Sequence, residues 1–299
     1  MSSFWVLLPD FSLIILGVCL RRRLLESISF WQGVEKLVYF VLFPALLFAA
    51  MAGAKIDWSY LLPLCLAGLL VMSIGFGCAW AGRPLMGLEP IAFASRMQCA
   101  YRFNTYIAIA VSGKLYGSAG VALMGALCGA MVPFANIFAI SQLARHGQMG
   151  VIRELMRNPL VIGTVAGLAC NLLGLEVGET VHAVLKRLSD AAVALGLLAV
   201  GAALRWGTSG GKTAGAVWLL AVKLLLMPAA AWGIGVLMQL ERLGFNILIL
   251  YAALPTASSA YILAMRMGGD GPGVAWLISA STLLAAVTLT FWLSMLPAV

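Results

Sequence analysis

Charged residues are scarce in this chain of 299 residues: 19 are basic and 11 are acidic, and together they make up 10% of the sequence. Hydrophobic residues make up 63%, and the mean hydropathy is +1.01. A soluble domain of this length could not bury so much apolar surface in one core. The composition therefore predicts an integral membrane protein, with no polar stretch long enough for a soluble catalytic or ATP-hydrolysing domain.

Metal-ligating and nucleophilic side chains are also sparse. The two histidines, His146 and His182, lie in predicted connections, and the six cysteines are dispersed through apolar runs without a CxxC pair. Metal sites and disulfide frameworks need such residues at short, regular spacing. The sequence predicts no metal site, no cofactor and no enzyme, because no Ser/His/Asp or metal constellation lies among the apolar runs. The basic residues behind the net charge of +8 are scattered, which indicates membrane topology rather than a nucleic-acid partner.

The apolar runs divide the chain into ten predicted transmembrane helices. A helix needs about 20 mostly apolar residues to cross a bilayer. The predicted spans are 4–20, 31–51, 59–82, 93–112, 117–140, 158–174, 183–205, 214–238, 243–264 and 272–295. The first run is followed by three arginines and has no small-residue cleavage site, so we expect a retained span rather than a signal peptide. Counting basic residues on alternate sides favours both termini on the outer side.

Several residue pairs recur at an offset close to half the chain length. Pro9 and Gly17 match Pro159 and Gly167 at an offset of 150. Each half contains five spans, and because five is odd, the two halves cross the membrane in opposite senses. The predicted organisation is a first inverted repeat at 1–140, a cytoplasmic connection at 141–157 and a second inverted repeat at 158–299.

Polar residues interrupt span 4, and a proline lies at the matching position of span 9. The interruption at 102–106 (RFNTY) is followed 151 positions later by 253–257 (ALPTA). Polar side chains near the bilayer centre are costly unless they face protein, water or a ligand. A proline inside a helix removes a backbone hydrogen bond and breaks or bends the helix. Two interrupted helices in corresponding halves are typical of the binding site of a secondary transporter.

The predicted site combines helix ends with polar side chains. Helix N-termini carry partial positive charge and favour a carboxylate, whereas C-termini and free carbonyls favour a cation. Arg102 can hold a carboxylate through two parallel hydrogen bonds. The predicted substrate-binding residues are Arg102, Asn104, Thr105, Tyr106, Pro255, Thr256, Ser258 and Ser259. The serines and threonines are equally well explained as hydrogen bonds between helices.

Four further residues are assigned coupling or supporting roles: Asp10, Asn136, Asp190 and Lys223. Asp10 and Asp190 are the carboxylates expected inside the outer leaflet, and Lys223 lies in the middle of span 8. The coupling ion would be a proton or sodium. The alternative for both carboxylates is an ordinary position at the membrane interface.

These residues and several short segments resemble the auxin efflux carrier family, specifically its short bacterial members. The matching segments are 43–48, 102–106, 131–136, 158–163, 223–228 and 253–257. The resemblance implies an all-α membrane fold of five-plus-five inverted repeats, in which broken helices 4 and 9 cross as in sodium/proton antiporters. It also implies a scaffold from spans 1, 2, 6 and 7, a transport part from spans 3–5 and 8–10, and a homodimer. The crossover motif falls on Asn104 and Pro255, and the absence of a proline beside Asn104 leaves the break in span 4 open.

Bacterial members of that family are described as malate or malonate permeases, and plant members export indole-3-acetate. The sequence therefore predicts a secondary transporter of a small organic anion, such as a mono- or dicarboxylate or an auxin-like aromatic acid. We expect it to work by alternating access in the bacterial inner membrane. The alternative is a membrane receptor or sensor that binds its ligand without moving it. The expected partners are the anion, the lipid bilayer and a second copy of the chain, and not nucleic acid.

Overall fold

The computed structural model describes residues 3–53, 58–143, 159–175, 177–204, 212–257 and 259–296. Every regular element within these ranges is helical. Five helical segments are long and apolar enough to cross a membrane: Ile28–Ala52, Ser59–Ala81, Pro90–Leu143, Thr213–Leu237 and Gly271–Ser294. The prediction of an all-α membrane protein is confirmed at this level. The predicted connection at 141–157 falls mainly outside the described residues.

We number the longer helices in chain order. They are α1 Ser3–Arg23, α2 Ile28–Ala52, α3 Trp58–Ala81, α4 Pro90–Met97, α5 Thr105–Leu143, α6 Pro159–Leu172, α7 Glu179–Ala203, α8 Thr213–Leu237, α9 Arg242–Ala253, α10 Ser259–Arg266 and α11 Gly271–Ser294. A one-turn helix, Arg83–Met86, precedes α4. α9 lies at the centre of the bundle, because every residue from Asn246 to Leu254 is buried.

Two helices each contain a wide π-helical turn just before a proline. Val38–Leu42 precedes Pro44 in α2, and Val222–Leu226 precedes Pro228 in α8. A proline has no N–H, and its ring clashes with the carbonyl four residues earlier, so a locally wider turn accommodates it. In α8, the indole N–H of Trp292 donates to the Leu224 carbonyl at 3.0 Å, which satisfies one of the carbonyls in this turn.

α5 is a helical hairpin rather than one straight helix. Its backbone leaves helical geometry at Gly117, where φ is 61° and ψ is −150°. A Cβ added at Gly120 would lie 2.5 Å from the Ser112 carbonyl oxygen, although eight residues of straight helix span about 12 Å. The chain therefore folds back at Gly117, and the returning half ends with Leu143 packed in one cluster with Ala94 of α4. The predicted loop between spans 4 and 5 is replaced by this single glycine turn.

Glycines allow close helix packing in two corresponding places. A Cβ on Gly17 of α1 would overlap the Leu198 carbonyl oxygen of α7, and one on Gly167 of α6 would lie 2.5 Å from the Phe48 carbonyl oxygen of α2. Small residues let helix backbones approach in this way. Gly17 and Gly167 are also the glycines that the sequence relates by an offset of 150. The α1–α7 and α2–α6 contacts are therefore alike, because in each a glycine of one helix meets a backbone carbonyl of the other.

Candidate functional site

The helix that contains Asn104 is interrupted, although it has no proline there. α4 ends at Met97, a 3-10 turn covers Gln98–Ala100, and α5 begins at Thr105. The N–H groups of Tyr101 and Arg102 both donate to the Gln98 carbonyl, at 3.3 and 3.0 Å, which tightens the last turn. The chain between these helices is therefore free to adopt a non-helical path.

Asn104 explains why no proline is needed. Its side-chain Oδ1 accepts hydrogen bonds from the N–H groups of Tyr106, at 3.0 Å, and Ile107, at 3.2 Å. This is the N-cap arrangement, in which a side-chain oxygen replaces the missing helical acceptors, and asparagine is among the residues that favour it most. Asn104 thus begins α5 by its own chemistry, after the preceding helical segment has ended at Ala100.

The second interruption follows from Pro255. α9 ends at Ala253, and Leu254 is extended, with φ −60° and ψ 146°. A residue before a proline is pushed out of the helical region by a clash with the proline ring. The helix resumes as α10 at Ser259. The Ala260 N–H in its first turn donates to the Ala257 carbonyl at 3.1 Å.

The two interruptions are bonded to one another. The Asn104 N–H donates to the Pro255 carbonyl oxygen at 2.9 Å, and the Thr256 hydroxyl donates to the Cys99 carbonyl at 2.7 Å. The Thr256 N–H donates to the Ser281 hydroxyl of α11 at 3.2 Å. The structure therefore brings together residues 151 positions apart in sequence, at a buried point where both helices expose backbone polar groups.

One donor at this point has no partner within the described residues. The Asn104 Nδ2 is buried and makes no hydrogen bond there, and only 2% of the residue is exposed. A buried polar group without a partner costs about 1–3 kcal/mol. The Asn104 amide is therefore a donor that an acceptor group of a ligand could satisfy.

Arg102 and Asn136 are in direct contact. An Arg102 guanidinium nitrogen donates to the Asn136 Oδ1 on the returning half of α5. Arg102 is buried, and the five N–H donors of a guanidinium permit other contacts besides this one. The sequence placed these two residues in separate roles, whereas the structure places them in direct contact.

Tyr106 lies where the interrupted helices meet α2 and α7. Its ring centroid is 4.5 Å from that of Phe43 in α2, and a Cβ on Gly196 of α7 would lie 3.4 Å from the Tyr106 ring. Thr105, the first residue of α5, is half-buried beside it. These contacts place the helix interruptions next to α2 and α7.

Two predicted residues, Ser259 and Asp190, are exposed rather than buried at this point. Ser259 is exposed at the start of α10, and Ser258 lies outside the described residues. Asp190 is exposed and lies 4.0 Å from the Lys186 ammonium one helical turn earlier. Asp10 lies within α1, in a part of the helix whose side chains the structure does not describe. Lys223, in contrast, is buried and donates to the Ala252 carbonyl of α9 at 3.0 Å.

An ion pair near this point was missed by sequence reasoning. Arg96 of α4 and Asp270 are 2.5 Å apart, from guanidinium nitrogens to Oδ2. The other Asp270 oxygen caps α11 by accepting from the Gly273 N–H at 3.0 Å, and the Asp270 N–H donates to the Ser95 hydroxyl at 2.9 Å. An aspartate directly before Gly-Pro was a readable helix-cap signal, but nothing in the sequence paired it with an arginine 174 positions away.

Comparisons with known proteins agree with this membrane architecture. Residues 145–293 match a family model described as membrane transport protein. The chain is also 26% identical, over 98% of its own length and 98% of the other chain, to a protein described as an uncharacterized transporter from Methanothermobacter thermautotrophicus. The apolar helices and these matches define the class: a multi-pass membrane transporter. Within that class, the match over residues 145–293 and the similar transporter confirm the family resemblance of the sequence.

Proposed function

We propose that this protein is a secondary transporter that moves a small organic anion by alternating access. The observation that carries the proposal is the bonded pair of helix interruptions at Asn104 and Pro255, with the Asn104 Nδ2 beside them, which has no hydrogen-bond partner among the described residues. Interrupted helices with free backbone groups at the bilayer centre form the binding sites of many secondary transporters. Such a site binds its ligand partly through the ends of the half-helices.

The charge around the interruptions favours an anion over a cation. Neither 90–110 nor 243–269 contains an acidic residue, and Asp270, which follows directly, is paired with Arg96. Arg102 lies in the first interruption, and the buried Lys223 ammonium contacts the end of α9. The N-terminus of α5, which begins next to Asn104, adds partial positive charge. A carboxylate would therefore find a positive field and the Asn104 donor together.

The apolar part of the anion would lie against aromatic rings. Tyr106 and Phe43 form a tilted ring pair directly beside the polar point. Aromatic faces accommodate both short aliphatic chains and a flat ring. This surface suits mono- and dicarboxylates as well as an auxin-like aromatic acid.

The proposed architecture is a pair of five-span inverted repeats. Broken helices α4–α5 and α9–α10 cross in a transport part with α3, α8 and α11, which moves against a scaffold of α1, α2, α6 and α7. The matching glycine contacts at Gly17 and Gly167 support the repeat relation. We further propose a homodimer through the scaffold, in a bacterial inner membrane with both termini outside.

The test replaces Asn104 by serine. Serine is as good an N-cap as asparagine, so Asn104→Ser keeps the start of α5 while it removes the Nδ2 donor. Losing one hydrogen bond to a charged ligand weakens binding by about 1.5–3 kcal/mol, or roughly tenfold to a hundredfold. In proteoliposomes with radiolabelled malate, malonate or indole-3-acetate, we expect the KM for the transported anion to rise by this factor.

Asn171→Ser is the matched control, because the Asn171 amide donates to the Ala52 carbonyl at 2.9 Å, away from the interruptions. It should lower stability and leave the KM unchanged. Equal transport by Asn104→Ser and the wild type would contradict the site. Tight binding without accumulation inside the vesicles would instead identify a receptor that does not move its ligand.

A further inference from the structure

Lys223 is a lysine fully enclosed in a transmembrane bundle. It lies in the π-helical turn Val222–Leu226 of α8, and 1% of it is exposed. Ionisable residues at such depth are costly, and they are usually functional. Single π-helical turns inside α-helices are likewise frequent at functional sites.

The partners of the Lys223 ammonium are unusual. It donates to the Ala252 carbonyl oxygen at 3.0 Å and lies 3.9 Å from the Met227 sulfur. Within the described part of the chain, no carboxylate comes within ion-pair distance of it. The lysine therefore serves no structural salt bridge there, and its main partner is the backbone of an interrupted helix.

Ala252 lies one residue before the end of α9, where the helix macrodipole places partial negative charge. The last four carbonyls of a helix lack intrahelical donors, and Pro255 offers no N–H to any of them. A cation at this end is favourable. The π-helical turn that carries Lys223 also packs against the Gln98–Ala100 turn at the end of α4. The lysine thus comes from a segment that contacts the C-terminal ends of both interrupted helices.

We propose that Lys223 is a fixed counter-cation that takes the place of a coupling metal ion, so that anion transport by this protein requires no sodium. This inference rests on the proposed transport function and deepens it. Half-helix C-termini and free carbonyls coordinate sodium in many secondary transporters. Here the ammonium bonds to the carbonyl at the end of α9, and its charge would repel a second cation placed beside it.

The fixed charge also has a consequence for the anion. Lys223 neutralises the partial negative charge at the end of α9. The electrostatic potential at the site is then set by the positive N-terminus of α5 and by Arg102. A neutral side chain at 223 would restore the negative field at the α9 end and so oppose a carboxylate nearby. The charge of Lys223, and not its length, is therefore the property required.

The experiment has a sodium arm and a variant arm, both on the purified full-length chain. The sodium arm compares the unfolding temperature in detergent, and uptake of radiolabelled malate, malonate and indole-3-acetate into proteoliposomes, in equal concentrations of sodium chloride and choline chloride. We expect no difference between the two salts. A sodium-specific rise in unfolding temperature, or uptake that requires sodium, would overturn the proposal.

The variant arm compares Lys223→Met with Lys223→Arg. We expect Lys223→Met to raise the KM for the transported anion at least about tenfold, the loss of one charged hydrogen-bonding group, and Lys223→Arg to restore most of it. Lys186→Met is the matched control, since Lys186 is largely exposed; its KM should equal that of the wild type. A folded Lys223→Met protein with wild-type transport would overturn the proposal.

The same measurements still decide when a variant does not fold or when no transport is seen. If Lys223→Met does not fold, the sodium arm on the wild type and the KM of Lys223→Arg decide, and an arginine variant that folds but has lost uptake counts against a pure charge role. If the wild type moves none of the three anions, the transport proposal fails for them. The sodium dependence of the unfolding temperature then still tests whether Lys223 takes the place of a sodium ion.

Discussion

Removing Arg96 should destabilise the bundle more than its position on a short helix indicates. Arg96 bonds Asp270 through two guanidinium nitrogens at 2.5 Å, and the two side chains are 9% and 20% exposed. Arg96→Met would leave the Asp270 carboxylate with the Gly273 N–H as the remaining donor among those described above. Breaking a buried pair from one side costs about 3–5 kcal/mol, and partial exposure of the aspartate lowers our expectation to about 2–3 kcal/mol.

The aspartate contributes in a second way, which a double-mutant cycle separates. Asp270→Asn keeps an oxygen that can cap α11, because asparagine is also a preferred N-cap, but it removes the charge opposite Arg96. We expect a loss of about 1–2 kcal/mol for this variant. Since both single variants break the same pair, Arg96→Met combined with Asp270→Asn should cost less than their sum by about 1–2 kcal/mol.

The assay is equilibrium unfolding of the purified protein in mixed micelles with increasing denaturing detergent, followed by tryptophan fluorescence. All four proteins are measured in the same micelles, so that the differences rather than the absolute free energies are compared. Additivity of the single losses within about 0.5 kcal/mol would refute the reasoning. It would mean that the two side chains act independently in the folded protein.

Two glycine predictions follow from backbone geometry. Gly167→Ala should lower the unfolding temperature, because its Cβ would meet the Phe48 carbonyl oxygen at 2.5 Å. Gly33→Ala is the control: it has open space around its Cβ, so the unfolding temperature should stay unchanged or rise slightly. Equal effects of the two variants would contradict the close α2–α6 packing. Gly117→Ala should cost about 1–3 kcal/mol in the detergent unfolding assay, although no atom lies within 4 Å of its Cβ, because φ 61° with ψ −150° strains any other residue. A neutral result would mean that α5 does not turn there.

Sequence patterns located the two helix interruptions because each has a local chemical cause. Pro255 removes a donor and displaces Leu254, and both effects are readable from residue type alone. Asn104 was recognised as polar at depth, but its capping of α5 was not, since a cap depends on where the helix begins. The turn at Gly117 was predicted as a short loop, because glycine permits several turns and sequence does not choose among them.

Contacts between distant segments were harder to predict from the sequence. Arg102 was assigned to the ligand, and the bond to Asn136 became visible only when the two halves of the α5 hairpin were placed together. The Arg96–Asp270 pair spans 174 positions, and an isolated arginine in an apolar run is explained equally well by membrane topology. Asp190 was predicted to be either a coupling group or an ordinary residue at the membrane interface, and it is exposed beside Lys186. Side-chain depth in a helix depends on which face packs inward, and weakly amphipathic spans conceal that face.

The bonds that join the two interrupted helices limit how a ligand could be released. Asn104 is tied to Pro255, and Thr256 is tied to Cys99, so each helix carries the other with it. In the proposed cycle the two interrupted helices would therefore move together as one rigid body, and the ligand would be released by movement elsewhere in the bundle. In that cycle the contact of Tyr106 with Phe43 would lie at the boundary between the moving part and the scaffold, and sliding there would expose the ligand to one side of the membrane and then to the other.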